Sequence, residues 1–178
     1  SFKYGNATTE DLWNALSKIS GKDVKSMMDT WTKQMGYPII NIEIKNNKLK
    51  MHQERFLFIK DNKDKSLWKV PISISYDNKT DYHEMHSKEL EINLPKDLVR
   101  INSSQVGFYR VNYSQELFDK IMKIIKNLPI LDKINLENNT FTLCRANYIP
   151  VTNYLKLLKN YENENDLTTW EDLTINLS

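Results

Sequence analysis

The chain has 178 residues, of which 40% are hydrophobic and 27% charged, enough for one core or for two small adjoining modules. The net charge of +2 comes from lysines scattered among acids, as in KDNKDKS, and not from a basic stripe with interleaved aromatics. This pattern argues against nucleic-acid binding. No apolar run approaches the length of a membrane span, so the chain is predicted to have no membrane segment.

Residues 1 to about 37 show helical periodicity, beginning with the segment NATTEDLWNALSKISG. Thr8 followed three residues later by Asp11 is a capping-box pattern and predicts the start of a first helix. Gly21 is placed to end it. The first residues have no basic-then-apolar signal pattern and no initiating Met, so we expect the chain to begin inside a larger protein or after processing.

A second helix is predicted by an apolar stripe at i, i+3, i+4 and i+7 spacing. Its members are Val24, Met27, Met28, Trp31 and Met35. Gly36 is placed for the left-handed C′ position after the helix, and Pro38 blocks its continuation.

From residue 38 to about 113 the hydrophobic period changes to two, which predicts strands. About six strands are expected, and they are PIINIEI, KLKMHQERFLFI, LWKVPISISY, YHEMHSKELEINL, LVRIN and VGFYRVNY. The NN pair between the first two predicts a hairpin, and Pro71 predicts an edge strand or a bulge. Short strands at close spacing favour a small antiparallel β-sandwich.

Residues 114–178 return to helical periodicity. Ser114 is placed to cap a helix over QELFDKIMKIIKNL, and Pro150 is placed to start one over PVTNYLKLLKNY. Thr168, with Glu171 three residues later, predicts a capping box for the last helix. The predicted fold class is therefore α+β, with a short helical segment, a small sandwich and a second helical segment.

The histidines and the cysteine do not have the spacing of a catalytic or metal site. His83 and His86 in HEMH are one residue too close for His-Glu-x-x-His, and on a strand residues three apart point to opposite faces. Cys144 has no histidine near it in sequence and is interpreted as a buried residue on a helix. Four glycines in all make a phosphate-binding loop implausible. The residues therefore predict no catalytic, cofactor-binding or metal-ligating side chain.

Two other patterns have alternative interpretations. The tryptophans and neighbouring aromatics are interpreted as core packing in preference to a ligand-stacking surface, because each lies in an amphipathic segment. They are Trp13, Trp31, Trp68, Trp170, Phe108 and Tyr109. Arg110, between aromatics in VGFYRVNY, is interpreted as a structural brace paired with a carboxylate in preference to a substrate clamp.

Two features of the sequence give opposing indications of the cellular compartment. Cys144 is the only cysteine, which favours a reducing compartment and predicts a cytoplasmic protein. Six Asn-x-Ser/Thr sequons favour the alternative, a secreted or membrane-anchored ectodomain, although an Asn-rich chain produces several by chance. They begin at Asn6, Asn78, Asn102, Asn112, Asn138 and Asn176.

Several segments occur in the same order in zinc aminopeptidases of the aminopeptidase N type, which the chain resembles over essentially its whole length. They are EDLWNAL, VKSMMDTWTKQMGYPII, QERF, WKVPISI, VGFYRVNY and LCRANYIPVTNYLKLLKNYENENDLTTWEDLTINL. The last is most similar to the puromycin-sensitive branch. The resemblance implies that residues 1–37 end a thermolysin-like catalytic domain, that 38–113 form a β-sandwich, and that 114–178 begin a superhelical, solenoid-like C-terminal domain. Asp132-Lys133 stands where the family has Asp-Arg.

The resemblance also implies what this chain lacks. The family removes N-terminal residues from peptides with a zinc-bound water, and its zinc, amine-binding and catalytic motifs precede this segment. None of them occurs in the 178 residues. We therefore expect a non-catalytic fragment that binds no zinc and acts as a spacer in the parent enzyme. A stand-alone interaction module and a catalytically dead homologue remain alternatives.

The N-terminal helices are predicted to expose an apolar face when the preceding polypeptide is not present. Its members are Leu12, Trp13, Leu16, Met27, Met28 and Trp31. Self-association through this face is therefore expected.

Overall fold

A computed structural model describes residues 5–59 and 63–177 of the chain. Within them lie six α-helices and seven β-strands. The helices are Thr9–Ser20 (α1), Val24–Thr32 (α2), Gln115–Met122 (α3), Ile130–Arg145 (α4), Val151–Leu158 (α5) and Leu167–Leu177 (α6). The strands are Pro38–Lys45 (β1), Lys48–Arg55 (β2), Val70–Tyr76 (β3), Lys79–Met85 (β4), Glu89–Asn93 (β5), Arg100–Ile101 (β6) and Arg110–Tyr113 (β7). Part of the KDNKDKS segment, residues 60–62, lies outside the described residues.

The first helix begins and ends where its capping residues predict. The Thr8 hydroxyl accepts a hydrogen bond from the Asp11 N–H at 3.3 Å, and the Asp11 carboxylate accepts one from the Thr8 N–H at 2.8 Å. Gly21 follows with a left-handed φ of 68°, so both predicted boundaries are confirmed.

The second helix ends earlier than its apolar stripe predicts. α2 stops at Thr32, so Gly36, with φ 91°, lies in the turn before β1 and not at the helix C′ position. The Gln34 side-chain amide donates to the Thr30 carbonyl at 2.7 Å, which is the carbonyl that the Gln34 backbone N–H would use in a longer helix. A side chain therefore replaces the next helical hydrogen bond.

The strands form two sheets. One has four strands in the order β5-β2-β1-β7, and the other has three in the order β4-β3-β6. All pairs are antiparallel except β1 with β7, where Ile39 to Ile42 run parallel to Arg110 to Tyr113. The predicted sandwich is therefore mostly, but not wholly, antiparallel.

The predicted strand YHEMHSKELEINL is wrong as a single element. It divides into β4 and β5, which belong to different sheets. Between β4 and β5 the chain crosses from one sheet to the other at Ser87 and Lys88, and Gln53 hydrogen-bonds to both residues. Its side-chain nitrogen donates to the Ser87 carbonyl and its backbone N–H donates to the Lys88 carbonyl, each at 2.9 Å.

Other strands are shorter than their patterns. Val99 and Tyr109 are buried next to the sheets without joining a ladder, whereas Val106 and Phe108 are exposed. The VGFYRVNY strand begins only at Arg110, and the LVRIN strand consists of Arg100 and Ile101. Pro71 lies in β3, the middle strand of its sheet, and not in an edge strand. It is tolerated because β6 pairs only with Ile74 and Ser75 of β3, so Pro71 lies beyond that pairing.

The helices after the sandwich begin at or close to the predicted positions. Ser114 precedes α3 but makes no side-chain capping bond to any described residue. Pro150 precedes α5 as predicted. For α6, Asp166 and not Thr168 is the capping residue, because the Asp166 carboxylate accepts the Thr169 N–H at 2.9 Å. The Thr168 prediction is therefore wrong.

Three groups of buried side chains join these elements. Between the sheets lie residues such as Ile40, Met51, Ile72 and Met85, together with Trp68. A second group holds the helices together: Phe118, Ile121, Ile125, Leu136, Tyr154, Leu157, Tyr161 and Leu173. A third group, Ile39, Phe56, Leu143 and Ala146, packs α4 against the four-stranded sheet. The sheets and the helices after them therefore pack continuously.

Candidate functional site

The histidines lie apart, on surfaces of both sheets. His83 is in β4, and His86, beyond the end of that strand, lies 3.1 Å from a Glu84 carboxylate oxygen. His52 is in β2 and lies 3.7 Å from Glu89. Within residues 5–59 and 63–177, no three His, Cys, Asp or Glu side chains are grouped to hold a metal ion. The resemblance assigns the zinc of the family to polypeptide before this segment, and the described histidines do not come together in the way that a metal site requires.

Cys144 lies in the last turn of α4, on a helix as predicted, but it is half-buried and not fully buried. Its Sγ is 3.5 Å from the Pro150 carbonyl oxygen. Burial raises the pKa of this thiol, so it is protonated at neutral pH and is a weak nucleophile.

The aromatic residues divide into a core group and a surface group. Trp68 and Tyr109 are buried between the sheets, as core packing predicts. Trp31 lies half-buried over Trp68, with its indole N–H donating to the Lys69 carbonyl at 3.0 Å. The core interpretation is wrong for Phe108, which is 72% exposed, and Trp170 is also exposed.

An ion pair joins the sandwich to the helices. Arg100, in β6, donates to one Asp132 carboxylate oxygen, and Asp132 lies buried in the first turn of α4. The other carboxylate oxygen accepts the backbone N–H of Ser104 at 2.6 Å. Asp132 therefore holds both a strand and the loop that follows it. The next residue, Lys133, forms its own ion pair with Glu164 at 2.7 Å.

Arg110 is not the predicted carboxylate brace. Its guanidinium donates to the side-chain oxygen of Asn138, and no ion pair to Arg110 is found within the described part of the chain. The reason is that α4 presents the amides Asn135, Asn138 and Asn139 to this side of β7. The carboxylate pair that was predicted for Arg110 is formed instead by Arg100, with Asp132. The LVRIN segment that contains Arg100 did not indicate this role.

The loop before β7 is held in an unusual conformation. Asn102, Ser104 and Gln105 all have left-handed φ values, of 59°, 62° and 56°. The Asn102 side chain fixes this loop, since its amide oxygen accepts the Gly107 N–H at 2.7 Å and its nitrogen donates to the Gly107 carbonyl at 2.8 Å. Left-handed non-glycine residues are uncommon and concentrate at functional sites, which marks this loop as a candidate.

A buried carboxyl group joins the last three helices. Glu137 of α4 accepts the Tyr154 hydroxyl at 2.5 Å and the Asn176 amide at 2.9 Å, from α5 and α6 respectively. Asp172 of α6 lies beside it. Burial and the adjacent Asp172 raise the pKa of Glu137 to about 7. The sequence contained no local signal for this group, because its partners are distant along the chain.

The N-terminal helices carry only part of the predicted exposed apolar face, namely Leu12 and Leu16, together with Ile19, which the prediction did not include. Leu12 is 52% exposed, Leu16 is 41% and Ile19 is 85%. Among the described residues of α1 and α2, none is fully buried. Trp13, Met27, Met28 and Trp31 are half-buried.

The fold is thus that of a β-sandwich leading directly into a helical region, joined by buried contacts. Residues 98–178 match the family described as "ERAP1-like C-terminal domain". The chain is 35% identical to "Aminopeptidase 2, mitochondrial" of Saccharomyces cerevisiae, over 99% of this chain and 19% of that protein. It is 35% identical to "Aminopeptidase M1-A" of Oryza sativa subsp. japonica, over 94% of this chain and 20% of that protein.

The chain is also 30% identical to "Glutamyl aminopeptidase" of Bitis rhinoceros, over 98% of this chain and 20% of that protein. The chain therefore spans about a fifth of the length of the curated relatives it matches. The predicted relationship to aminopeptidases of the aminopeptidase N type is confirmed, and the chain corresponds to one segment of them. Within the described residues, no helix is long and apolar enough to cross a membrane.

Proposed function

We propose that this chain is the connecting segment of a zinc aminopeptidase, which in its full length removes N-terminal residues from peptides. Residues 1–37 are the end of its catalytic domain, 38–113 its sandwich and 114–178 the start of its helical domain. The observation that carries this proposal is the identity to aminopeptidases, which extends over nearly all of this chain but only a fifth of each relative.

The segment's role is mechanical. The buried group Ile39, Phe56, Leu143 and Ala146, together with the Arg100–Asp132 pair, fixes the first helices on the sandwich. Such a joint holds the helical domain in a set position relative to the catalytic domain that precedes it. Zinc and the catalytic residues are assigned to polypeptide outside this chain, and no residue of this chain is assigned a catalytic or metal-binding role.

The proposal is tested first on the purified chain. We expect no stoichiometric zinc binding by elemental analysis after dialysis, and no release of amino acids from peptides. Tight equimolar zinc binding together with aminopeptidase activity would overturn the assignment.

A chimera tests the connecting role directly. The matching segment of the yeast Aminopeptidase 2 is replaced by this chain, and peptide cleavage is measured. We expect the chimera to be active, and to lose activity when Asp132→Ala breaks the joint. An inactive, well-folded chimera would contradict the connecting role.

The exposed face of Leu12, Leu16 and Ile19 also supports the fragment assignment, because the alternative, a stand-alone interaction module, would bury such a face. A cytoplasmic location is supported by the single thiol and by the likeness to the puromycin-sensitive branch. Among the sequons, Asn102 is buried and bonded to Gly107, whereas Asn78 is exposed, so glycosylation at Asn78 would favour the secreted alternative.

A further inference from the structure

We propose that Arg110 and the amides around it form a binding site for a carboxylate, at the junction of β7 and α4. A cavity of about 330 Å³ opens at this junction. Its lining contains ten residues: Tyr37, Asn102, Gln105, Gly107, Phe108, Tyr109, Arg110, Asn135, Asn138 and Asn139. Arg110 is the one charged side chain among these ten, so the cavity attracts anions.

Most of the hydrogen-bonding capacity of Arg110 is unused. A guanidinium has five N–H donors, and the described contacts of Arg110 use one nitrogen, Nη1, in its bond to the Asn138 side-chain oxygen. The residue is half-buried, so its charge is partly removed from water without a counterion among the described residues. A carboxylate matches the planar fork of such a group in geometry and in charge.

Asn138 adds donors beside the guanidinium. Because its oxygen already accepts from Arg110, its NH₂ group remains to bind an anion, and no described residue accepts from it. Asn139, in contrast, is occupied, since its oxygen accepts the Val111 N–H at 3.4 Å and its nitrogen donates to the Asn135 carbonyl at 2.9 Å. One cation and one free amide suit a monoanion better than a phosphate dianion.

The loop beside the cavity is preorganised. The left-handed residues Asn102, Ser104 and Gln105 are held by the Asn102–Gly107 bonds and by Asp132. A Cβ atom at Gly107 would lie 2.2 Å from the Tyr109 ring, so only glycine fits there. The cavity wall is therefore fixed before any ligand arrives.

An apolar surface adjoins the charged one. Phe108 is 72% exposed and Val106 is 77% exposed, and the Phe108 ring lies 5.2 Å from that of Tyr37. The ligand class is therefore a carboxylate that carries an aromatic or aliphatic group. Its source is either the C-terminal residue of a peptide or an acidic side chain of a polypeptide segment.

The experiment uses the whole chain, isotopically labelled, and three small probes followed by NMR. N-acetylphenylalanine presents a terminal carboxylate, N-acetylphenylalaninamide has none, and N-acetylaspartyl-phenylalaninamide presents a side-chain carboxylate beside a phenyl group. We expect the first probe to shift the Arg110 and Asn138 side-chain N–H signals and the second to leave them unchanged. Binding of the third would assign the site to acidic side chains. Equal shifts with the first two probes, or none with either carboxylate, would overturn the proposal.

Two variants locate the site. Arg110→Met is expected to weaken N-acetylphenylalanine binding at least about tenfold, whereas Arg145→Met, which removes an exposed arginine outside the cavity, leaves it unchanged. Asn138→Asp supplies an internal carboxylate to Arg110 and is expected to abolish binding while the fold is kept. Asn78→Asp, the same charge change on an exposed turn, serves as its control. Binding that survives both Arg110→Met and Asn138→Asp would refute the site, and neither result depends on peptidase activity.

Discussion

The side chain of Gln53 is hydrogen-bonded in both directions to the backbone of Trp68. Its oxygen accepts the Trp68 N–H at 2.9 Å, and its nitrogen donates to the Trp68 carbonyl at 2.9 Å. Gln53 belongs to β2 of one sheet, whereas Trp68 leads into β3 of the other. With 1% of its surface exposed, Gln53 joins the two sheets through a polar contact inside an otherwise apolar core.

Gln53→Leu tests this contact. The substitution leaves the Trp68 backbone groups and the Ser87 carbonyl without their partner, so we expect the free energy of unfolding to fall by about 2–4 kcal/mol. Urea denaturation measures the change. His52→Gln, on the adjacent and more exposed position of the same strand, is the control and is expected to change stability by less than about 0.5 kcal/mol. Equal effects of the two variants would contradict the role of Gln53.

Asp132→Ala tests the joint between sandwich and helices. The substitution leaves the Arg100 guanidinium and the Ser104 N–H without an acceptor, which costs about 3–5 kcal/mol for a buried pair. Asp29→Ala, in the exposed pair with Lys33, is expected to cost less than about 1 kcal/mol. Thermal unfolding of both variants provides the comparison. Similar losses of stability would contradict the larger contribution expected of the buried Arg100–Asp132 pair.

Stability is expected to depend on pH through Glu137. Its pKa is raised to about 7 in the folded chain, so between the ordinary value of 4.5 and this value the folded state holds a proton that the unfolded state has lost. The free energy of unfolding therefore falls as pH rises through this window and is level above it, a change of about 2 kcal/mol. The groups facing Glu137 are Asp172, Tyr154, Asn176 and Tyr161.

Denaturation measured from about pH 5 to about pH 7.5 checks this dependence. Glu137→Gln keeps an acceptor for Tyr154 but removes the titrating group, so its stability should decline less across the window. Glu43→Gln, at an exposed position, should follow the unmodified chain. A decline that is identical in the Glu137 variant would exclude this residue as its origin.

Two glycines with left-handed φ form a matched pair. Gly36→Ala places a Cβ 2.7 Å from the Arg55 Nε, so the Arg55 side chain must move from its ion pair with Asp64. At Gly21, φ is similar but no described atom lies within 4 Å of the added Cβ. We expect Gly21→Ala to cost about 1 kcal/mol of stability and Gly36→Ala about 2–3 kcal/mol. Calorimetry measures both, and a larger loss at Gly21 would contradict the contact argument.

Glutamate substitutions on the exposed face of α1 test self-association through the N-terminal helices. We expect the chain to dimerise with rising concentration in sedimentation experiments, and Leu12→Glu with Ile19→Glu to shift it to monomer. Leu177→Glu, at an exposed apolar position of α6, is the control and should leave the association unchanged. A monomer at all concentrations would remove this surface as an interface.

The sequence predicts those features that are set by residues near one another along the chain. The capping box of Thr8 with Asp11 and the change of period at Pro38 are of this kind. It does not predict that YHEMHSKELEINL divides into two strands, because the side chain that binds the backbone at the division belongs to Gln53, more than 30 residues away. The partners of Arg100, Arg110 and Glu137 are also distant, so hydrophobic period and turn chemistry gave no information about the candidate site. The family resemblance supplied the architecture, but not the Arg110 guanidinium that has no carboxylate partner among the described residues.

The parallel pairing of β1 with β7 joins the first strand of the sandwich to its last strand. The Asn112 side-chain amide donates to the Asn41 side-chain oxygen across this pair, although the two residues are 71 positions apart. β1 therefore cannot complete its pairing until β7 is present. During synthesis, one edge of β1 is therefore expected to stay open until Arg110–Tyr113 have emerged from the ribosome. Loop closure of this length is slow, and an uncovered edge invites pairing with other chains. Truncation before β7 should therefore yield aggregates, and chaperone dependence should be greatest just before that strand emerges.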